Sequence, residues 1–271
     1  MDISWLNYTD IIDIIETASQ LVLQIYLGCD FVIEQKEDKS PVTIADKKAN
    51  EYIVSSLKTL YPNIPIISEE NLNDDWEIRK NYEFVWFIDP LDGTKEFIKK
   101  NGEFTINIGL VFKGRPIAGF VNIPVKGLTY WAIKGKGAWK KDISNKIFDI
   151  KEERNNYDNR GKNLVRVLAS RSHMTDDTKE FIDKLGDVEL INVGSSIKIL
   201  WIAENKADIY PRMNGSMEWD TCAAHVILSE LGGTILHYEN KEIGDELYYN
   251  KKNLLNPYFI CSYPLLFLRQ K

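Results

Sequence analysis

Apolar side chains fall at helical spacing over residues 3 to 28, at Ile11, Ile14, Ile15, Ala18, Leu21, Val22 and Ile25. This pattern predicts a long amphipathic helix that stops at Gly28. FVIEQ (31–35) reads as a strand. Helical spacing returns from Thr43 to Leu60 through Ala45, Ala49, Ile53, Val54 and Leu57. Pro62 and Pro65 then break the chain before a short strand at Ile66-Ile67. Phe84 to Ile88 is apolar at all five positions, which marks a buried strand. Four more runs follow, Thr105 to Phe112, Arg115 to Ile123, Thr129 to Ile133 and Gly137 to Lys140, joined by Gly and Pro turns. They read as an antiparallel meander.

Residues 149–163 are polar and read as a surface loop or linker, so the chain divides into halves at 1–163 and 164–271. The second half alternates. Strands are expected at Leu164 to Ala169, Val188 to Val193, Asp208 to Tyr210, Thr234 to His237 and Tyr258 to Cys261. Helices are expected at Thr175 to Leu185, Ser195 to Glu204 and Glu218 to Leu231, the first capped by Thr175 or Asp176. No repeat or low-complexity tract is present. The fold class is α+β, a mixed α/β architecture in layers.

At 271 residues the chain can bury a large core, with 44% hydrophobic and 27% charged residues. A net charge of -6 argues against a broad nucleic-acid-binding surface. A small anionic substrate stays possible, because a bound cation inverts the local field. Cys29, Cys222 and Cys261 form no CxxC pair, and His173, His225 and His237 have no zinc-type spacing. The expectation is a reduced, cytoplasmic compartment with neither a signal peptide nor a transmembrane segment. Trp5, Trp76, Trp201, Cys222 and His225 are read as packing residues.

The chemistry concentrates where the buried strand ends, at Trp86-Phe87-Ile88-Asp89-Pro90-Leu91-Asp92-Gly93-Thr94. Asp-Pro-x-Asp-Gly is good turn chemistry, and a turn with acidic caps is one reading. The other is a metal and phosphate site. Two carboxylates confined at a strand end repel unless a cation lies between them, and Mg²⁺ takes oxygen ligands. More acids stand at similar boundaries: Glu69 after Ile66-Ile67, Asp220 at a helix start and Asp46 near the start of the second helix. Together they could build a site of two or three metals for in-line attack on a phosphate ester. A covalent aspartyl-phosphate route needs an Asp two residues before Asp92, and that position is Pro90.

Asp89-Pro90-Leu91-Asp92-Gly93-Thr94, with Ser68-Glu69-Glu70 before it and Glu218-Trp219-Asp220-Thr221 after it, resembles the inositol monophosphatase superfamily. Lys95-Glu96-Phe97, Asn101 to Ile108, Ala169 to His173, Gly194 to Lys198 and Ala207 to Arg212 resemble its CysQ-type 3′(2′),5′-bisphosphate nucleotidase branch. The likeness runs from about residue 10 to 262. Asn214-Gly215-Ser216 departs from the Gly-Pro-Thr usual in that branch.

The resemblance implies a layered αβαβα sandwich of the sugar-phosphatase type. It also implies a lithium-sensitive enzyme that uses two or three Mg²⁺ ions. Its metal ligands would be Glu69, Asp89, Asp92, Asp220 and the Leu91 carbonyl. Asp46 and Thr94 would orient and deprotonate the attacking water, with help from Glu69. Asp92, Gly93 and Thr94 would cradle the phosphate, and Ser172, His173, Gly194, Ser195, Lys198 and Arg212 would line the nucleotide side. The implied reaction removes the 3′-phosphate of adenosine 3′,5′-bisphosphate, and of its sulfated form, clearing a by-product of sulfate activation. Activity on inositol 1-phosphate or fructose 1,6-bisphosphate is the alternative on this scaffold, and a non-catalytic sensor is a third reading. The partner is thus a small nucleotide bisphosphate rather than a nucleic-acid polymer.

Overall fold

The computed structural model describes residues 3–28, 33–35, 41–71, 75–156, 164–169 and 174–263. Helix α1 (Tyr8–Leu27) starts at Asn7, whose side chain accepts the Thr9 N–H. It ends at Gly28 in extended backbone (φ -66°, ψ 157°), so the glycine stops the helix without entering the left-handed region. Strands β1 (Ile33–Gln35) and β2 (Pro41–Thr43) pair antiparallel and lead into α2 (Ile44–Leu60). Then come β3 (Ile66–Ser68), a short α3 (Trp76–Arg79) and β4 (Phe84–Asp92).

Strand β4 runs beyond the expected end at Ile88. Asp89 pairs with Asn107 and Asp92 with Thr105, and the register shifts between them. The acids therefore sit on a bulge, a place that tolerates a proline, because Pro90 has no N–H to give the ladder. After α4 (Thr94–Ile98), the meander continues as β5 (Thr105–Phe112), β6 (Arg115–Ile123), β7 (Leu128–Ile133), β8 (Ala138–Lys141) and β9 (Ile147–Asp149). These strands form a seven-stranded sheet, β3 to β9 in chain order, in which only the β3–β4 pair is parallel.

The reading of 149–163 as a loop needs correction. Its first part is the end of β9 and a helix, α5 (Ile150–Asn156). Ile150 is fully buried, and Glu153 pairs with Lys140 at 2.6 Å, so one apolar side chain and one ion pair fix a segment that looks uniformly polar. Residues 157–163 lie outside the described residues.

The second half supplies β10 (Val165–Ala169), α6 (Asp176–Asp183), β11 (Val188–Asn192), α7 (Ile197–Ala203), β12 (Ile209–Arg212), α8 (Glu218–Glu230), β13 (Thr234–Glu239), β14 (Glu242–Glu246) and β15 (Phe259–Ser262). Thr175 is the N-cap of α6, its hydroxyl accepting the Thr178 N–H. The strands form a six-stranded sheet in the order β11-β10-β12-β15-β13-β14. Strand β14 is an exposed edge strand without apolar alternation, so the hydrophobic pattern gives no sign of it.

Strand alternation decides the layers. Trp86, Ile88, Ile106 and Ile108 face Ile11 and Ile15 of α1 and Ile53 and Leu57 of α2. Their neighbours Val85, Phe87 and Val121 face the other way, onto Leu200 of α7 and Ile227 of α8. That middle layer also packs on Ile235, Phe259 and Cys261 of the second sheet. Val167, Ile209 and Ile260 turn outward to Ile182 of α6. The result is the expected αβαβα sandwich. No helix among the described residues is long and apolar enough to cross a membrane.

Two paired glycines set the height of α8. Gly109 and Gly119 are register partners in β5 and β6. A Cβ at Gly119 would lie 2.0 Å from the Ala223 carbonyl oxygen, and one at Gly109 would lie 2.5 Å from Cys222 Sγ. The helix thus rests almost on the strand backbone, which brings its first turn close to the end of β4. Cys222 and His225 are fully buried on this helix, as expected of packing residues.

Candidate active site

Four chain segments bring acids to one place. The Glu69 N–H donates to the Ile88 carbonyl at 3.1 Å, extending the parallel β3–β4 pairing and setting Glu69 beside Asp89. Asp89 and Asp92 flank the bulge in β4. Asp220 lies in the first turn of α8, and Asp46 in the first turn of α2.

A common arrangement holds three of these acids by one oxygen. Asp46 Oδ2 accepts the Thr43 N–H (2.8 Å) and hydroxyl (2.7 Å). Asp92 Oδ2 accepts the Ser196 N–H at 2.6 Å, with the Ser196 hydroxyl at 2.9 Å. Asp220 Oδ2 accepts the Met217 N–H (2.9 Å) and the Ser216 hydroxyl (3.0 Å). For Asp46 and Asp220 the donors lie within four residues, and for Asp92 the fixed donor is the Ser196 N–H; in each case they hold the rotamer and leave the second oxygen to face elsewhere. Asp89 Oδ1 takes the Leu91 N–H at 3.0 Å, and its carboxyl also hydrogen-bonds with Glu69.

The acids repel one another. Burial, then Glu69, Asp92 and Asp220, raise the acid of Asp89 well above the carboxylate range. Burial, then Asp92 and Glu69, push Asp220 up to about 7. Carboxyls shifted upward by burial and by like charges form a site that a cation would relieve. Their donors are all oxygen, as a hard divalent ion requires. Among the described residues no three such side chains already converge as a finished cage; the acids line a cleft instead.

Thr94 opens α4 directly after Gly93, whose left-handed backbone (φ 98°) turns the chain from strand to helix. A side chain there would be strained whatever the space around it. The turn carries the Thr94 hydroxyl to Asp46 Oδ1, to which it donates at 3.2 Å. Asp46 is buried, and burial raises its acid above the ordinary value.

A cleft of about 220 Å³ opens beside these groups, with Asp46 and Asp89 buried behind its wall. Glu69, Asp92, Thr94 and Asp220 line it with Lys198 and Arg212. The Lys198 ammonium donates to the Val193 carbonyl at 3.4 Å and lies 5.3 Å from the Tyr210 ring centre. Burial lowers its pKa to about 8. Arg212 donates to the Gly215 carbonyl at 2.9 Å, while its Nε is buried without a hydrogen bond.

Gly93, Gly194 and Ser195 also border the cleft. The Gly194 N–H is held by Glu103 Oε2 at 3.0 Å, and the Ser195 hydroxyl is buried without a hydrogen bond. Leu91 is buried, and its carbonyl stands 3.4 Å from the Thr94 hydroxyl. Ser172 and His173 lie outside the described residues. Ser196, Ser216 and Tyr210, which the sequence reading did not select, also stand in the cleft. Ser196 directly follows Ser195, and linear sequence carries no signal for which of two adjacent serines turns toward an acid.

The chain matches the model of the Inositol monophosphatase family over residues 8–262. It is 38% identical over 247 residues to the 3′(2′),5′-bisphosphate nucleotidase CysQ of Shigella flexneri, covering 90% of this chain and 95% of that one. It shares 39% identity with the crystal structure of CysQ from Bacteroides thetaiotaomicron, a bacterial member of the inositol monophosphatase family. That superposition has a TM-score of 0.78 and covers 94% of this chain and 96% of the other. An IMPase/NADP phosphatase solved with Mg²⁺ and phosphate shares the fold at 18% identity and a TM-score of 0.73, covering 94% of this chain and 89% of that one.

Proposed function

The chain belongs to the inositol monophosphatase family, and we propose that it is a Mg²⁺-dependent phosphatase that converts adenosine 3′,5′-bisphosphate and water to AMP and phosphate. The observation that carries this reading is the cleft itself. Glu69, Asp92 and Asp220 line it with Thr94, whose hydroxyl donates to buried Asp46, and Lys198 and Arg212 lie on the same cleft. The bisphosphate nucleotidases to which the chain is similar support the substrate.

Glu69, Asp89, Asp92, Asp220 and the Leu91 carbonyl would hold Mg²⁺, which when bound supplies Lewis acidity to the phosphate ester. The chain's own groups do the rest. Asp46 Oδ2 is committed to Thr43, so Oδ1 is the oxygen that takes the Thr94 proton. As it does, Thr94 Oγ takes a proton from the attacking water. The water oxygen bonds to phosphorus and the bond to the ribose 3′-oxygen breaks; that oxygen takes a proton from solvent water, and Asp46 afterwards returns its proton to solvent. Pro90 stands where a covalent aspartate would be needed, which favours water as the nucleophile. Asp92, Gly93 and Thr94 cradle the phosphate that leaves.

Lys198 and Arg212 pair with the phosphate that stays, as guanidinium and ammonium groups do with phosphate oxygens. Gly194 and Ser195 border the same wall, and Ser172 and His173 complete the nucleotide side in this proposal. Hydrolysis in ¹⁸O-water tests the mechanism: the label should enter inorganic phosphate and be absent from AMP. Label in AMP would place the attack at the ribose carbon and end this account.

A further inference from the structure

We propose that Ser196 is a positioning residue that ties two acids from the two halves of the chain, Asp92 and Asp220, into one register, and so sets how tightly the cleft takes Mg²⁺. The inference rests on the functional reading above.

Ser196 is 3% exposed and stands at the start of α7. Its N–H and hydroxyl make four contacts. The N–H donates to Asp92 Oδ2 at 2.6 Å. The hydroxyl oxygen lies 2.9 Å from the same carboxylate oxygen and 2.7 Å from the Asp220 carbonyl. It also accepts the Asn107 side-chain N–H at 3.0 Å. Segments β4, β5, α7 and α8 therefore meet at one serine.

A proton count separates the roles. A hydroxyl has one proton to give, and here two acceptors compete for it. Asp92 is already served by the Ser196 N–H. The assignment that satisfies every group sends the N–H to Asp92 and the hydroxyl proton to the Asp220 carbonyl, with Asn107 filling a lone pair. The backbone of Ser196 thus orients one acid, and its side chain holds the helix turn that carries the other. Alanine would keep the first link and lose the second. It would also strand the Asn107 amide, whose Oδ1 is already buried without a hydrogen bond.

Groups that orient metal ligands are worth about 10–100-fold in metal affinity. The test is a calorimetric titration of Mg²⁺ into substrate-free wild-type enzyme, S196A and S196T. S196A should bind Mg²⁺ about 10–100-fold more weakly, and S196T, which keeps the hydroxyl, should stay within about threefold of wild type. In turnover assays the S196A defect should shrink as Mg²⁺ rises, with the substrate KM little changed. Wild-type Mg²⁺ affinity in S196A, whatever its melting temperature, overturns the proposal. Absence of binding by the wild-type enzyme would instead bring down the metal reading on which it rests. Should S196A fail to fold, S196C fills the same space with a weaker donor; weakened Mg²⁺ binding supports the role, and wild-type binding overturns it.

Discussion

Replacing Asp220 by Asn removes one negative charge from a cleft crowded with acids, and without Mg²⁺ it should make the protein more stable while ending its activity. The amide is nearly the same size. Its oxygen can still accept the Met217 N–H and the Ser216 hydroxyl, so the start of α8 keeps its cap. What changes is the charge. Burial, Asp92 and Glu69 raise the acid from 3.8 to about 7 in the folded protein. A raised carboxyl binds its proton more tightly folded than unfolded. Its cost is absent below the unfolded value and complete above the folded one, so this group's destabilisation grows as pH rises from about 4 to about 7.

A rise from 3.8 to about 7 corresponds to a ceiling of ~4 kcal/mol. The neighbouring acids share that cost and relax when one is removed, so ~1–2 kcal/mol is the expected gain. For a chain of this size that gain is ~2–8 °C in melting temperature. The assay is thermal unfolding in chelator at about pH 8 and about pH 5. Asp220→Asn should melt higher at the alkaline pH, with the advantage shrinking at the acidic one. Added Mg²⁺ should raise the wild type far more than the variant. A variant that melts at or below wild type at about pH 8 would refute the repulsion argument.

Thr94→Ala should lower kcat by ~10²–10⁴ while leaving Mg²⁺ affinity near wild type; a kcat within a few-fold of wild type would remove Thr94 from the proton path. Lys198→Met should raise KM for the bisphosphate by ~10–100-fold and barely affect adenosine 3′-monophosphate, and equal losses on both would deny Lys198 the second phosphate. Because its pKa is lowered to about 8, Lys198 loses charge as pH rises through that value, so the wild-type KM for the bisphosphate should climb above about pH 8 and the Met variant's should not. Gly119→Ala forces a Cβ to within 2.0 Å of the Ala223 carbonyl and should cost ~3 kcal/mol or more in a denaturant melt; a loss below ~1 kcal/mol would mean that α8 has room to retreat.

The parts of the fold that sequence made legible are those where burial imposes a period. Helix α1 shows it through Ile11, Ile15 and Val22, and β5 to β8 announce themselves between Gly and Pro turns. The misses lie where a contact distant in sequence outweighs local composition. Helix α5 is held by buried Ile150 and by Glu153 on Lys140, and β14 by pairing with β13. The extension of β4 through Asp92 is hidden because Asp89, Pro90 and Asp92 interrupt the apolar run, although Asp89 and Asp92 pair with β5 across a bulge.

For the site, motif resemblance named acids that the fold gathers from β4, α2, α8 and the turn after β3. It could not rank Ser195 against Ser196. That distinction depends on how α7 meets β4, β5 and α8, and no local spacing records such a crossing. The single oxygen left to each of Asp46, Asp92 and Asp220 was equally invisible, because the partners that tie the other oxygen include backbone N–H groups.

The most direct measurement is phosphate release by the wild-type protein from adenosine 3′,5′-bisphosphate, inositol 1-phosphate and fructose 1,6-bisphosphate, each with Mg²⁺ and with chelator. The account predicts Mg²⁺-dependent release with the nucleotide preferred by at least ~10-fold in kcat/KM, about the worth of one charge-assisted pair to the second phosphate. Preference for inositol 1-phosphate or fructose 1,6-bisphosphate, or release undiminished by chelator, would contradict it.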